Sequence, residues 1–362
     1  MGEADGVGEA DDVGDVGDAD GSGVPHGPLL HRRWPELIGP LAHLRLGAGP
    51  TPLRPLDALD LPAQVWCKDD SVYGTGGWGG NKVRKLEWIL PEAERRGTRT
   101  LLTVGGLATN WGLAAALYAR EHGIHTALAL IDQPVTDDVR EQLRRLRRSG
   151  AALHFTRTKL RTVAAAPWLF LRHTHGGRPP YFLPAGGSDP VGTLGYVEAA
   201  LELAAQLRRA GLPEPTHLVT AVGSGGTAAG LALGLRIAGL RTRLVGIVVN
   251  DTLRLDAPTV VALAHRSARL LRRRGAPLPP VALDPADLLV LRGWMGPGYG
   301  HGTAQATAAQ ALAATRVNLR LDPVYTAKAF AALMELASDH RFGRGPVVFL
   351  HTHGPRSMPA NG

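Results

Sequence analysis

Lys82 stands directly after Gly79-Gly80-Asn81 in the run Gly76 to Glu87, GGWGGNKVRKLE. A lysine that opens a helix sits in the positive field of the helix N-terminus, which disfavours a cation and makes the amine a better nucleophile. From these residues alone the competing reading is a solvated lysine on a helix. The composition adds weight: of the 40 basic residues only Lys68, Lys82, Lys85, Lys159 and Lys328 are lysines. Where arginine supplies the charge, a retained lysine points to chemistry that arginine cannot do, imine formation included.

A second glycine-rich turn, Ala221 to Gly230 (AVGSGGTAAG), follows the apolar run His217 to Val222. Gly223, Gly225 and Gly226 permit a tight turn with exposed N–H groups, Ser224 and Thr227 add hydroxyls, and the next helix offers its positive end, so a phosphate would be held there. The rival is a dinucleotide fingerprint. Gly223 to Ala228 satisfies the relaxed G-x-G-x-x-A form, and Asn250-Asp251 ends the next apolar run where a ribose-binding acid is expected. That match is weak alone, lies in the second half of the chain and leaves the other glycine turns unexplained.

The third turn is Val104 to Gly112, VGGLATNWG. Its N–H groups could hold a carboxylate, with Thr109 and Asn110 adding a hydroxyl and an amide; alone it would be a helix entry with one of the two as cap. His351 and His353 form an H-x-H pair after the apolar run Val347 to Leu350, but no third ligand is evident. No metal site is assigned, and a pocket-lining or capping role is preferred.

Together these turns resemble the pyridoxal-phosphate enzymes of the tryptophan synthase β type, within them the branch of D-cysteine desulfhydrases and 1-aminocyclopropane-1-carboxylate deaminases. The likeness runs in family order through Gly49-Pro50-Thr51-Pro52-Leu53, GGNKVRKLE, GGLATN, Pro184 to Ser188 (PAGGS), Gly192 to Tyr196 (GTLGY), GSGGT, Gly296 to Gly300 (GPGYG), Asp322 to Tyr325 (DPVY) and His351-Thr352. It implies that Lys82 carries pyridoxal 5'-phosphate as a Schiff base and that Gly223, Ser224, Gly225, Gly226 and Thr227 hold its phosphate. Asn110 resembles the residue that bonds the cofactor's ring oxygen. Leu107, Ala108, Thr109, Asn110 and Trp111 would clamp the substrate carboxylate. Tyr299 and Tyr325 match two tyrosines lining the reaction site, and Thr326 takes the place facing the pyridine nitrogen.

The deaminase relatives have Glu at that last place. A threonine cannot supply the charge that lets the ring accept a full carbanion, so the resemblance implies prompt expulsion of a leaving group from the β carbon. The expected activity is α,β-elimination of a small β-substituted amino acid, best guess D-cysteine to pyruvate, hydrogen sulfide and ammonia, with Lys82 or Thr109 taking the α proton. The alternatives are deamination of the cyclopropane amino acid, racemisation, or cofactor binding without turnover. Two departures bear on the substrate: Thr109-Asn110-Trp111 stands where relatives have Ser-Asn and a polar residue, and His353-Gly354 stands where relatives tend to have two glycines.

Residues so placed need strands that end in turns and helices that begin there. Apolar runs alternate with helical stretches at Thr100 to Val104, Trp111 to Glu121, His125 to Ile131 and Val135 to Ser149, and again at Gly195 to Ala210, His217 to Val222, Thr227 to Ala238 and Leu244 to Val249. This is an α/β pattern with parallel sheets. With 362 residues two lobes are expected. The convergence of lysine and phosphate turn divides them into a large cofactor domain of residues 29–84 plus 188–362 and a small α/β domain of residues 85–187.

Residues 1–28 are expected to be an acidic disordered tail. The first 25 residues hold eight acids and no base, too little apolar surface to offset chain entropy. Without those charges the formal +8 becomes about +16, so nucleic acid is considered. The arginines are spread along amphipathic stretches such as Val139 to Arg148, with no basic run interleaved with aromatics, which reads as solvated helix faces. No run reaches a membrane span and the start lacks signal-peptide character, so a cytoplasmic protein is expected. The single cysteine, Cys67, excludes disulfides within the chain and reads as a buried strand residue. The resemblance also implies a homodimer.

Overall fold

The computed structural model describes residues 27–354, and the expected acidic tail lies almost wholly outside them. In chain order the first part contains α1 (Leu29–Arg33), β1 (Leu53–Pro55), β2 (Val65–Asp69), β3 (Gly79–Gly80) and α2 (Asn81–Arg95). There follow β4 (Thr100–Gly106), α3 (Asn110–Glu121), β5 (His125–Ile131), α4 (Asp137–Arg148), β6 (Ala152–Arg157), α5 (Lys159–Arg172) and β7 (Tyr181–Leu183). The remainder is α6 (Leu194–Arg209), β8 (His217–Val222), α7 (Gly226–Ile237), β9 (Arg243–Val248), α8 (Ala257–Arg273), β10 (Leu288–Leu291), α9 (Ala304–Val317), α10 (Thr326–Ser338), β11 (Val347–His351) and β12 (His353–Gly354).

Two sheets organise these elements. The six-stranded sheet runs β1-β2-β11-β8-β9-β10, parallel except for the β1 edge, and the four-stranded sheet runs β6-β5-β4-β7, parallel throughout. Parallel strands need crossover helices on their faces, so the central strands read as unbroken apolar runs. β11 (VVFLH) is buried along its length, and Cys67 lies buried within β2 as the sequence suggests. The helix and strand bounds read from the periodicity agree with α3, α4, α6, α7, β4, β5, β8 and β9 to within two residues.

α2 carries Lys82 and is anchored from three directions. Arg84 donates to Asp70 at 2.9 Å from both Nε and Nη2, and to both oxygens of Glu202 on α6. Its guanidinium lies 4.0 Å from the centroid of the Tyr73 ring. Lys68 donates to Thr51 O at 2.8 Å and pairs with Glu202, whose carboxylate also accepts from Thr51 N at 2.9 Å. Further along, Pro91 has no N–H to give Glu87 O, and Leu44 N fills the vacancy at 2.8 Å.

Candidate active site

Three strand-to-helix turns open into one cavity of about 410 Å³. The first carries Lys82 into the second position of α2. Gly80, just before it, has φ +83°, and a Cβ there would stand 2.9 Å from Gly354 N, so only glycine lets β3 run against β12 at this point. Burial lowers the Lys82 amine to about 8, partly opposed by the charge of Asp322. An amine so placed is neutral in useful amount near physiological pH.

The second turn joins β8 to α7. Gly225 at φ +87° turns the chain so that Gly226 opens the helix, and Gly223, Ser224, Gly225 and Thr227 line the cavity. Gly226 does not line it; its N donates to Ser188 Oγ at 3.0 Å, and Ser188 Oγ donates to Ser224 Oγ at 2.9 Å. Asn81 Nδ2 donates to Thr227 Oγ1 at 3.3 Å, tying this turn to the Lys82 turn. Behind it lies Lys85, buried, its Nζ donating to Gly186 O at 2.9 Å and standing 2.9 Å from where a Gly226 Cβ would be. Burial, and then the neighbouring Lys82 charge, hold its pKa well below the usual lysine range. A helix N-terminus with two serine hydroxyls before it and a buried lysine amine behind it fits a phosphate.

Asn250 and Asp251, the residues that favoured a dinucleotide, are committed elsewhere. Asn250 Nδ2 donates to Gly223 O at 2.8 Å, holding the turn, and Asp251 Oδ1 accepts from Tyr299 N at 3.0 Å.

The third turn joins β4 to α3. Thr109 caps α3, its Oγ1 accepting from Gly112 N at 3.1 Å, and Asn110 Oδ1 accepts from Gln142 Nε2 at 3.0 Å. Trp111 turns into the core, where Nε1 donates to Thr103 Oγ1 at 2.9 Å and the ring covers Gly187. Thr109, Asn110 and Trp111 line the cavity; Leu107 and Ala108 do not.

Tyr299 and Tyr325 also line it, their hydroxyls 2.7 Å apart. Burial raises both phenols, so both remain protonated donors. Thr326 is placed differently from its expected role. It is buried and off the cavity wall, with its hydroxyl donating to Asp322 Oδ2 at 2.7 Å and accepting from Asp322 N at 2.8 Å. Its one hydrogen is spent there.

Asp322 also lines the cavity, and its carboxylate accepts from the Val324, Tyr325 and Thr326 backbone N–H groups at 2.7 to 3.0 Å as well. Burial alone would raise its pKa, but His353 and these hydrogen bonds outweigh burial and keep it below the usual range.

Asp322, Lys85 and Ser188 are the residues that sequence reasoning left without a role. Lys85, Ser188 and Asp322 lie inside the motifs GGNKVRKLE, PAGGS and DPVY, which is the available signal. His351 is buried, with Nδ1 3.0 Å from Asp69 Oδ1 and Nε2 3.1 Å from Arg320 O, a structural tie rather than a ligand. Among the described residues no group of three or more metal-ligating side chains occurs, and no helix is long and apolar enough to cross a membrane.

Residues 44–353 match the family described as pyridoxal-phosphate dependent enzyme. The D-cysteine desulfhydrase of Klebsiella pneumoniae (strain 342) is 35% identical over 323 residues, covering 87% of this chain and 94% of that protein. The D-cysteine desulfhydrase of Salmonella paratyphi A is 35% identical over 324 residues, with the same coverage. Among solved structures, an ACC deaminase homologue is 31% identical with a TM-score of 0.75, covering 88% of this chain and 95% of that one. A fungal L-serine ammonia-lyase from Rhizomucor miehei, 18% identical with a TM-score of 0.58 over 85% of this chain and 94% of that one, shares the fold.

Proposed function

The chain belongs to the pyridoxal-phosphate-dependent enzyme family, and from that premise we propose that it is a carbon–sulfur lyase that breaks down D-cysteine to pyruvate, hydrogen sulfide and ammonia. The observation that carries the reading is the convergence on one cavity of the Lys82 amine, lowered to about 8, with the glycine and serine turn at the N-terminus of α7. Lys82 Nζ would hold the cofactor covalently, and Gly223 to Thr227, backed by Lys85, would hold its phosphate. When bound, the cofactor draws electrons from the carbon bearing the amino group, so that a proton can leave that carbon and a group can leave its neighbour.

The remaining work falls to side chains. Once free, Lys82 Nζ takes the α proton, for which a weakly basic amine suits near-neutral pH. Thr109 Oγ1 already accepts from Gly112 N and keeps its hydrogen to donate to a substrate carboxylate beside Asn110. Of the two hydroxyl hydrogens of Tyr299 and Tyr325 one is spent between them, which leaves one to donate to the β substituent. Trp111 closes one wall with its polar atom turned away, and so excludes water there. A homodimer working in the cytoplasm is part of the same proposal.

The choice of D-cysteine is supported by the desulfhydrase relatives, and deamination of 1-aminocyclopropane-1-carboxylate is the second reading, favoured by the likeness to the ACC deaminase homologue. A panel of D- and L-amino acids and the cyclopropane substrate, scored for keto acid and sulfide, separates them. D-cysteine is expected to yield both products fastest. Keto acid from the cyclopropane substrate with none from cysteine would replace the lyase by the deaminase, and bound cofactor with no turnover would make the protein a binder.

A further inference from the structure

An amino acid enters a site near neutral pH with its amine protonated, and an ammonium group has no lone pair with which to react. A cavity group that takes that proton would make the bound amine reactive, and Lys82 Nζ is engaged until the substrate has replaced it. The anion of Asp322 is saturated by donors from Val324, Tyr325 and Thr326, and the two tyrosine hydroxyls are protonated.

Among the described residues that line the cavity, one imidazole is present, that of His353. It lies on β12, which pairs antiparallel with β3 so that His353 stands opposite Gly80, two residues before Lys82. Trp78, also on the cavity wall, meets the ring edge to face at 6.4 Å between centroids. Nδ1 lies 3.8 Å from Asp322 Oδ2, too long for a hydrogen bond but close enough for that charge to favour an N–H on the Nδ1 side. The lone pair of the neutral ring is then on Nε2. Neither ring nitrogen has a hydrogen-bond partner among the described residues, in contrast to His351, where both are used.

We propose that His353 is a second proton-transfer residue of the cavity, taking at Nε2 the proton that an incoming amino acid sheds from its ammonium group. The N–H bond of the ammonium breaks, its electron pair stays on the amine nitrogen, and the proton joins the Nε2 lone pair; the imidazolium then returns it to water. The role rests on the amino-acid substrate proposed above and is independent of the β substituent. The groups facing the ring support it. Burial lowers its pKa below the usual histidine value, the charge of Asp322 from the segment before α10 opposes, and His351 from β11, paired with Asp69, adds to the lowering. β3 contributes only glycines, and Lys82 on α2 is near Asp322. His353 is therefore neutral at pH 7, the state a base requires, and is lost as a base when pH falls through its lowered pKa.

The test is the rate at which the holoenzyme takes up D-alanine, which has no β leaving group, followed as the change in bound-cofactor absorbance after rapid mixing. In the wild type the rate should be level at and above pH 7 and fall as pH drops through the lowered pKa of His353. In H353G and H353Q, both checked for full cofactor content, it should drop about 100-fold at pH 7. It should then rise roughly tenfold per pH unit, as only the amine already neutral in solution can react. Added imidazole should restore the H353G rate in proportion to its neutral form, which a structural role for the ring would not produce. Variants that keep the wild-type rate and pH profile would overturn the proposal while leaving the amino-acid reading intact. A wild type that takes up neither D-alanine nor any amino acid of the panel would overturn that reading, and His353's role with it.

Discussion

Thr326 shows how far a residue's chemistry depends on what stands beside it. By resemblance its hydroxyl answers the cofactor's ring nitrogen, yet in the folded chain donor and acceptor are both engaged by Asp322. The cost of removing it is therefore structural. Thr326→Val keeps the shape but leaves the buried Asp322 N–H without a partner, and should lower the free energy of unfolding by about 1–3 kcal/mol. Thr326→Ser rebuilds both bonds and should lose about 1 kcal/mol for the missing methyl. Urea unfolding of the two variants checks this; equal losses would mean that the hydroxyl contacts are not formed. Lys82, the Gly223 to Thr227 turn and Thr109-Asn110 were legible in the sequence because each is a local signal, polar or glycine residues at the seam between an apolar run and a helix. Lys85 and His353 were not given their surroundings, because Gly186 and the cavity wall come from segments that only the fold brings together, and Asp322, although only four residues before its partner Thr326, reaches the cavity wall only through the fold.

At the scale of elements, the position of Lys82 depends on how α2 is held. Arg84, two residues on, is buried and joined to Asp70 and Glu202, and Lys68 shares Glu202. A buried pair adds little over a well-packed apolar core, but breaking it strands a charge. Arg84→Met should cost about 3–5 kcal/mol of stability because Asp70 loses its cation. The same change should weaken cofactor retention, since the first turn of α2 loses its anchor. Denaturant unfolding and dialysis against buffer without cofactor measure the two effects; a stable variant that keeps its cofactor would show that the network does not position the helix. None of this network was visible in the sequence beyond the presence of charges, since periodicity identifies which face of a helix is apolar and says nothing about an arginine paired inside the core.

For the whole molecule, the α/β alternation, the two parallel sheets and the buried Cys67 strand follow from apolar runs of strand length alternating with helical stretches. The antiparallel β1 edge and the β3–β12 pair do not, because strands of two or three residues carry no period to read. We keep the division into lobes at residues 84/85 and 187/188 as a proposal; its first boundary falls inside α2.

One pH effect joins α1 to α6, outside the set of residues that line the cavity. Glu198 accepts from Leu29 N and Leu30 N, and burial, partly opposed by those bonds, raises its carboxyl to about 7. A carboxyl raised in the folded state binds its proton more tightly there than in the unfolded chain. Its contribution is thus greatest at acid pH and falls as pH rises from the usual carboxylate range to about 7. The loss is on the order of 3 kcal/mol. Glu198→Gln should flatten that part of the stability curve between pH 5 and 7.5, and an unchanged slope would assign the effect to other groups.

On this reading Lys82 is the residue that holds the cofactor in this cavity. Borohydride reduction of the purified protein, followed by mapping of the modified peptide, measures it directly. Loss of the visible absorbance band and a single label on Lys82 are expected; a label on Lys85 or Lys159 would assign the cofactor to another amine.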